Sequence, residues 1–428
     1  MHALPLRHPC AGAGTDHVHY LDGVLCCEGQ SLDQLATRFG TPLYVYSWAT
    51  IRERFALLRR AFGPSAEICY AVKANGNRTL LQRLAALGAD FDLVSGGELL
   101  RLLAAGIDAQ RAVFAGVAKE RWEIEAAVRS SVRAFHVESP HELSLLAAAG
   151  RASGVRVPVS LRLNPGIAVD THAYTATACA DSKFGVAMAK AGAVVEQIAA
   201  DSALELCGYH VHLGSQLRNF EPYVRAFDVV EAFLDGAEVR RRGIRHYDLG
   251  GGFGIAYGKG DALDVTAVAA ALLPRLAARG LTPVLEPGRF LVGDAGVLVS
   301  TVIGSKQAGG TNFLLADAAM NDLVRPALYG AEHPIAPVRS PDRATQEVDV
   351  VGPVCESGDF LGRRRALPSL AAGERIAVLG AGAYGFSMAS NYNTRRLPAE
   401  VLVDGAAVTL IRRRQEWSQL WADEVDPK

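Results

Sequence analysis

Four short stretches carry residue types that could do chemistry. In Tyr70-Ala71-Val72-Lys73-Ala74-Asn75 a lysine ends an apolar, strand-like run and is followed by an Asn/Gly turn. The C-terminal end of a buried strand is where barrels keep their reactive groups. Partial burial lowers a lysine's pKa and frees the amine to attack a carbonyl; the plainer reading is a lysine snorkelling out of a strand end. Asp248-Leu249-Gly250-Gly251-Gly252-Phe253-Gly254 follows a second strand-like run. Three consecutive glycines let N–H groups approach one anion with no Cβ in the way, and late barrel loops are the usual phosphate site. Neither a dinucleotide fingerprint nor a P-loop is present, because no helix-opening Gly-x-Gly-x-x-Gly and no Gly-Lys-Ser/Thr stands here.

His210-Val211-His212-Leu213-Gly214-Ser215 is the third stretch. Residues two apart on a strand share a face, so His210 and His212 point the same way. The pair lacks a third ligand at sensible spacing, and no metal is expected. An imidazole at a strand end can stack on a flat ring, and Ser215 can donate to a phosphate; His210 has more the look of a core histidine. The fourth stretch is Glu286-Pro287-Gly288-Arg289. A carboxylate at a barrel mouth is costly unless it meets a cation, either Arg289 or a protonated ring nitrogen. Lysine to form an imine, glycines for a phosphate, histidine for a ring and glutamate for a pyridinium together describe a site for pyridoxal 5′-phosphate.

The elements that position these residues alternate. Strand-like runs end near Lys73, Ser95, Gly116, Glu138, Asn164, Gly214, Gly251 and Gly288, with helical spacing between them, as in Gly97 to Ala105 and Val224 to Gly243. The pattern predicts an α/β fold, a (β/α)8 TIM barrel over residues 41–285; an open doubly wound sheet is the alternative. From residue 286 the helices thin out. Val297 to Ser305, Asn312 to Ala316, Glu347 to Val351, Arg375 to Leu379, Ala399 to Val403 and Ala406 to Arg412 read as strands. Residues 286–428 are therefore expected to form a second, mostly β domain, joined by residues 1–40. In that N-terminal part, His19 to Cys26 reads as a hairpin turning at Asp22-Gly23, Ser31 as a helix cap, and the first twenty residues as loosely attached. Pro42 to Ser47 reads as a strand leading into a helix over Trp48 to Ala61.

Composition narrows the class. With 428 residues, half of them hydrophobic, the chain is too long for one ordinary core and suits a two-domain enzyme. Its 44 basic and 45 acidic residues nearly cancel, which gives no footprint for nucleic acid or a membrane surface. Seven scattered cysteines without a C-x-x-C pair, and no apolar run of signal-peptide or membrane-span length, predict a reduced, cytoplasmic setting.

Taken together, the chain resembles the barrel-type, alanine-racemase-like (fold type III) pyridoxal-phosphate decarboxylases, and within them the branch acting on diaminopimelate. The likeness runs from Pro42 to about Gly405. Beside the four stretches it is carried by Asp92 to Glu98, Asn164-Pro165-Gly166, Ser182 to Gly185, Asp317 to Tyr329, Gly352 to Asp359 and Gly382 to Asn393. It implies Lys73 as the Schiff-base lysine, His212 stacked on the ring, Ser215 with Gly250, Gly251 and Gly252 on the phosphate, and Glu286 on the ring nitrogen. It further implies that Pro287, Gly288, Arg289 and Tyr384 would line the cofactor, that Arg289, Arg325 and Tyr329 would bind substrate carboxylates, that Cys355 would donate a proton and Glu356 meet the distal ammonium, and that Tyr384 would also contact substrate. By the same resemblance Cys355 and Glu356 would reach the partner's barrel, so the implied assembly is a homodimer with shared sites. The implied reaction converts meso-2,6-diaminopimelate to L-lysine and CO2; an ornithine- or arginine-type or specialised decarboxylase is the rival. One departure touches substrate choice: the family's Tyr-Ile-Ser-Thr-Gly is replaced by Tyr174-Thr175-Ala176-Thr177-Ala178.

Overall fold

The computed structural model describes residues 17–168, 182–258 and 260–426, so the Thr175 to Ala178 departure and the first sixteen residues lie outside the described residues. The chain divides into two compact units, residues 54–255 with 262–290, and residues 1–53 with 256–261 and 291–428.

The N-terminal elements are the hairpin β1 (Val18–Leu21) and β2 (Val24–Cys27), the short β3 (Gln30–Ser31) and β4 (Leu43–Ser47). Asp22 and Gly23 both have positive φ, as the tight turn of a hairpin requires. Ser31 accepts from the Gln34 N–H and caps the helix α1 (Leu32–Phe39) as expected. The hairpin joins the second unit: Leu25 N–H donates to the Val338 carbonyl.

The barrel strands are β5 (Glu67–Ala71), β6 (Asp90–Leu93), β7 (Ala112–Phe114), β8 (Ala134–Val137) and β9 (Val157–Asn164), then β11 (Leu204–His210), β12 (His246–Asp248) and β13 (Thr282–Leu285) after a two-residue β10 (Val186–Ala187) at the mouth of β9. All eight pair in parallel, and contacts of β13 with β5 and of β8 with β9 close the cylinder. The doubly wound alternative is thereby ruled out. Small apolar side chains, Cys69, Val113, Ala134, Cys207 and Val284, fill one level of the interior. The helix expected over Val224 to Gly243 runs from Glu221 to Asp235 and gives way at Gly236 to a single 3-10 turn, Glu238–Arg240.

The second unit is built on the long strand β14 (Gly296–Ala308). Its first half lies between β4 and β19 (Arg375–Val378), and its second half pairs with β15 (Thr311–Ala316), which continues through β17 (Thr345–Val351) to β18 (Phe360–Pro368). On the other side β4 pairs with β20 (Ala399–Asp404), which leads to β21 (Ala407–Arg412). The short β16 (Ile335–Pro337) edges β19. Two results differ from the sequence reading. Strand β4, expected to open the barrel domain at residue 41, lies in the middle of this sheet, and the division falls after Glu53. Leu43 to Tyr46 are wholly buried, and a continuous apolar run reads the same in a barrel wall as in a central strand. Strand β18 escaped notice because Gly362 and three successive arginines hide its alternation.

Candidate active site

The residues expected on the barrel gather at the C-terminal ends of its strands. Strand β5 stops at Ala71, and Lys73 sits in the 3-10 turn that follows (Val72–Ala74). Its amine donates to Oδ2 of Asp92 at 3.2 Å. Asp92 is fully buried. Burial and the nearby Glu286 carboxylate push its acid up to about 6, against the pull of Lys73. Gly288 packs closely against the turn that bears Lys73: a Cβ there would stand 3.0 and 3.1 Å from the Cβ atoms of Ala74 and Ala71, tighter than ordinary contact. Ala71 N–H donates to the Pro287 carbonyl, tying the two strand ends together.

The glycine run has a packing reason as well as a binding one. A Cβ on Gly250, Gly251 or Gly252 would come within 2.4 Å of the carbonyl oxygens of Val211, Glu286 and Gly214 respectively. Gly250 N–H donates to Asp248 Oδ1 (2.8 Å) and Gly251 N–H to His212 Nδ1 (3.0 Å). The first two N–H groups therefore fasten the loop to side chains, which narrows the expected three-donor anion cradle. Accepting at Nδ1 fixes the His212 tautomer as Nε2–H. Burial, with the charges of Arg162 and Lys73, holds its pKa well below the usual histidine range, so its ring is neutral and suited to stacking. Ser215 Oγ accepts from Arg289 Nη2 at 2.9 Å. The plainer reading of Arg289, pairing with Glu286, is thus not what the structure shows.

Glu286 is paired with histidines. Its Oε2 lies 3.2 Å from His210 Nε2 in a hydrogen bond, and its Oε1 lies 3.2 Å from His136 Nδ1. The second approach falls short of hydrogen-bond geometry, so Oε1 is a buried oxygen with no hydrogen bond completed among the described residues. Burial pushes Glu286 up, but His210 and His136 outweigh it and hold the carboxyl well below its usual range. His136 was missed by the sequence reading. The available signal was position: Ala134 and His136, like Val284 and Glu286, are two apart on their strands and face the same way. Arg162 and Glu138, joined at 2.8 Å and buried, were missed too.

The remaining expected residues lie in the second unit. Arg325 opens the short helix Arg325–Tyr329 and is buried. Its Nε donates to His333 Nε2 (3.3 Å), and its guanidinium lies 5.3 Å from the Tyr257 ring centroid and 5.9 Å from that of Tyr329. It is therefore no surface ion-pair arginine. Cys355 and Glu356 are exposed after β17; Cys355 N–H donates to Asn393 Oδ1 at 2.7 Å. Tyr384 is half-buried with φ of 55°, a left-handed conformation rare for tyrosine. The geometry of the barrel end can hold an amine-reactive ring: a lysine, a neutral imidazole, a close glycine loop and a buried anion share it.

Comparison with known proteins decides among such uses. Residues 48–293 match the family model described as pyridoxal-dependent decarboxylase, pyridoxal binding domain. The chain belongs to the diaminopimelate decarboxylase family of pyridoxal-dependent decarboxylases. It is 45% identical to the diaminopimelate decarboxylase of Pseudomonas aeruginosa over 410 residues, covering 96% of this chain and 99% of that one. Against that of Neisseria meningitidis serogroup B it is 44% identical over 402 residues, 94% and 97% of the two chains. Among solved structures, the Helicobacter pylori diaminopimelate decarboxylase complexed with L-lysine superposes with a TM-score of 0.88 at 36% identity, covering 92% of this chain and 98% of that one. As in its family, the cofactor is pyridoxal 5′-phosphate and the chain is a carboxy-lyase. No described helix is long and apolar enough to cross a membrane.

Proposed function

We infer that this chain removes the carboxylate from the D-configured centre of meso-2,6-diaminopimelate, releasing L-lysine and CO2 as the last step of lysine biosynthesis in the cytoplasm. The observation that carries the reading is Glu286: a buried carboxylate kept ionised, with an oxygen that completes no hydrogen bond among the described residues, at the barrel end that also bears Lys73. Such an anion suits a protonated ring nitrogen. The residues present therefore fit pyridoxal 5′-phosphate. Lys73 would anchor it, His212 lie against its ring, and Ser215, Arg289 and the glycine loop flank its phosphate.

When bound, the cofactor supplies an electron sink for the carbon that loses CO2. Glu286 keeps a proton on the ring nitrogen. The Lys73 amine, placed beside Asp92, would hold the cofactor's aldehyde carbon until a substrate amine takes that position. Arg325 takes the distal carboxylate, with its rigid fork oriented by His333 and flanked by Tyr257 and Tyr329. Glu356 meets the distal ammonium. The Cys355 thiol then delivers a proton to the α-carbon as a positioned general acid. The exposure of Cys355 and Glu356 suits delivery to a partner subunit, so the working unit is a homodimer with shared sites.

Ornithine and arginine have no distal carboxylate for Arg325 to bind. The test is CO2 release by the purified protein on each stereoisomer of diaminopimelate, ornithine, arginine and lysine. Release from the meso isomer alone is expected; comparable release from ornithine would overturn the substrate assignment.

A further inference from the structure

In barrel order, β6, β8, β11 and β13 are alternate strands, and they carry Asp92, His136, His210 and, just past the last, Glu286. Alternate strands of such a barrel contribute side chains to common layers. The layer holding Ala134 and Val284 is apolar; two residues further along the same strands stand His136 and Glu286. The rings of His136 and His210 stack, with centroids 4.2 Å apart and planes 19° from parallel. Each ring turns a nitrogen toward a different oxygen of Glu286, at 3.2 Å in both cases. The other nitrogen of His136 lies 3.5 Å from Asp248 Oδ2, and Asp248 Oδ1 accepts the Gly250 N–H. The side chains of His136, His210, Asp248 and Glu286 are at most 3% exposed.

Donor atoms of His136, His210, Asp248 and Glu286 lie within 4.8 Å of one another, so a metal is the first alternative. The stacking argues against it. An imidazole lone pair lies in the ring plane, and two nearly parallel rings 4.2 Å apart send their lone pairs along lines that do not converge. A zinc ion needs both nitrogens at about 2.0–2.1 Å, in their own planes.

We propose that His136 and His210 are positioning residues that hold the Glu286 carboxylate from one side, fixing the direction in which it meets the ring nitrogen of the cofactor. The proposal rests on the reading of Glu286 given above. The terminal torsion of a glutamate is otherwise broad. His210 pins Oε2 by a hydrogen bond, and His136, stacked on His210, faces Oε1. Each carboxylate oxygen accepts more than one hydrogen bond, so Oε1 keeps a direction for a ring N–H. Burial pushes His210 down to about 4, which makes it a neutral Nε2–H donor to an ionised carboxylate. The approach of His136 to Asp248 Oδ2 completes no hydrogen bond among the described residues, while Asp248 Oδ1 fastens the glycine loop at Gly250.

His136→Phe and His210→Phe keep a flat ring and delete the nitrogens; His136→Asn and His210→Gln restore an N–H near the lost Nδ1 and Nε2. The decisive readout is the 15N chemical shift of bound [15N]pyridoxal 5′-phosphate, read beside kcat and the thermal stability of the apoprotein. The phenylalanine variants are expected to move the ring-nitrogen signal toward the unprotonated position and lower kcat on the order of tenfold, as outer hydrogen-bond partners do. The amide variants should bring the signal back. A ring nitrogen still protonated in both phenylalanine variants overturns the proposal. Glu286→Gln separates the two readings: if it also leaves the nitrogen protonated, the role of Glu286 itself fails; if it alone removes the proton, only the histidine proposal fails. Should the phenylalanine variants not fold, neutron diffraction from the wild-type holoenzyme decides, because a deuteron missing from His210 Nε2 overturns the grip and its presence supports it.

Discussion

Gly251→Ala tests whether the glycine loop is held by close approach of two backbones. The new Cβ would stand 2.4 Å from the Glu286 carbonyl oxygen, where real contacts stay above 3.0 Å, so loop and strand end must part by at least about 0.6 Å. Neither side is a flexible side-chain tip that could swing away. Overpacking of this kind costs about 1–3 kcal/mol. The Gly251 N–H bond to His212 and the Glu286 N–H bond to Gly250 share the same gap, and losing one adds about 1 kcal/mol. A total of roughly 2–4 kcal/mol corresponds to a fall in Tm of roughly 4–16 °C for a unit of this size. Function should suffer further, since an ångström of misplacement can cost about a hundredfold in rate; at least about tenfold in kcat is expected here. Gly280→Ala is the control. Its φ is +66° but nothing lies within 4 Å of the added Cβ, so it should lower Tm by backbone strain alone and leave cofactor affinity intact. The assay is paired: apoprotein Tm by calorimetry and cofactor Kd by fluorescence titration. Wild-type Tm and Kd in Gly251→Ala would refute the reasoning, because the loop would then have room to yield.

Lys73→Ala is expected to abolish turnover and the visible absorbance of bound cofactor while circular dichroism stays native; substantial CO2 release by the purified variant would sink the assignment. Arg325→Ala should cost on the order of 2–4 kcal/mol in kcat/KM for diaminopimelate, and a loss within a few-fold of wild type rules out the distal-carboxylate role. Mixing inactive Cys355→Ala and Lys73→Ala chains should restore up to roughly a quarter of wild-type activity, because about half of randomly exchanged dimers are mixed and each holds one intact site; tagged chains that exchange without recovery exclude shared sites. Asp322 is pushed up to about 7 by burial, so its stabilising contribution is full below its unfolded value near 3.8 and is lost as pH rises through about 7. Denaturant titrations from pH 4 to 8 should show a fall on the order of a few kcal/mol that Asp322→Asn flattens, and equal slopes for both proteins would contradict it.

The alternation of strand-like runs and helical spacers was local, and it was enough for a barrel followed by a β-rich part, because side-chain period follows from backbone geometry alone. That Lys73, the glycine run, His212 and Glu286 would gather at one end of the barrel was legible for a related reason: each lies in a short motif at the end of a strand-like run. Where a strand would be buried was not local. The run Leu43 to Ser47 carries no mark that separates a barrel wall from a central strand of another sheet, and only pairing with β14 and β20 assigns it. Nor could the sequence assign a partner to Glu286. Arg289 is three residues away in the chain yet bonds to Ser215, while His136 and His210, 150 and 76 residues away, meet the carboxylate because barrel closure makes neighbours of alternate strands. Residue type and short spacing determined what chemistry the chain could hold; which groups share a proton, a charge or a cavity was decided by a closed sheet, since electrostatic coupling in a dry interior depends on ångströms of separation rather than on distance along the chain.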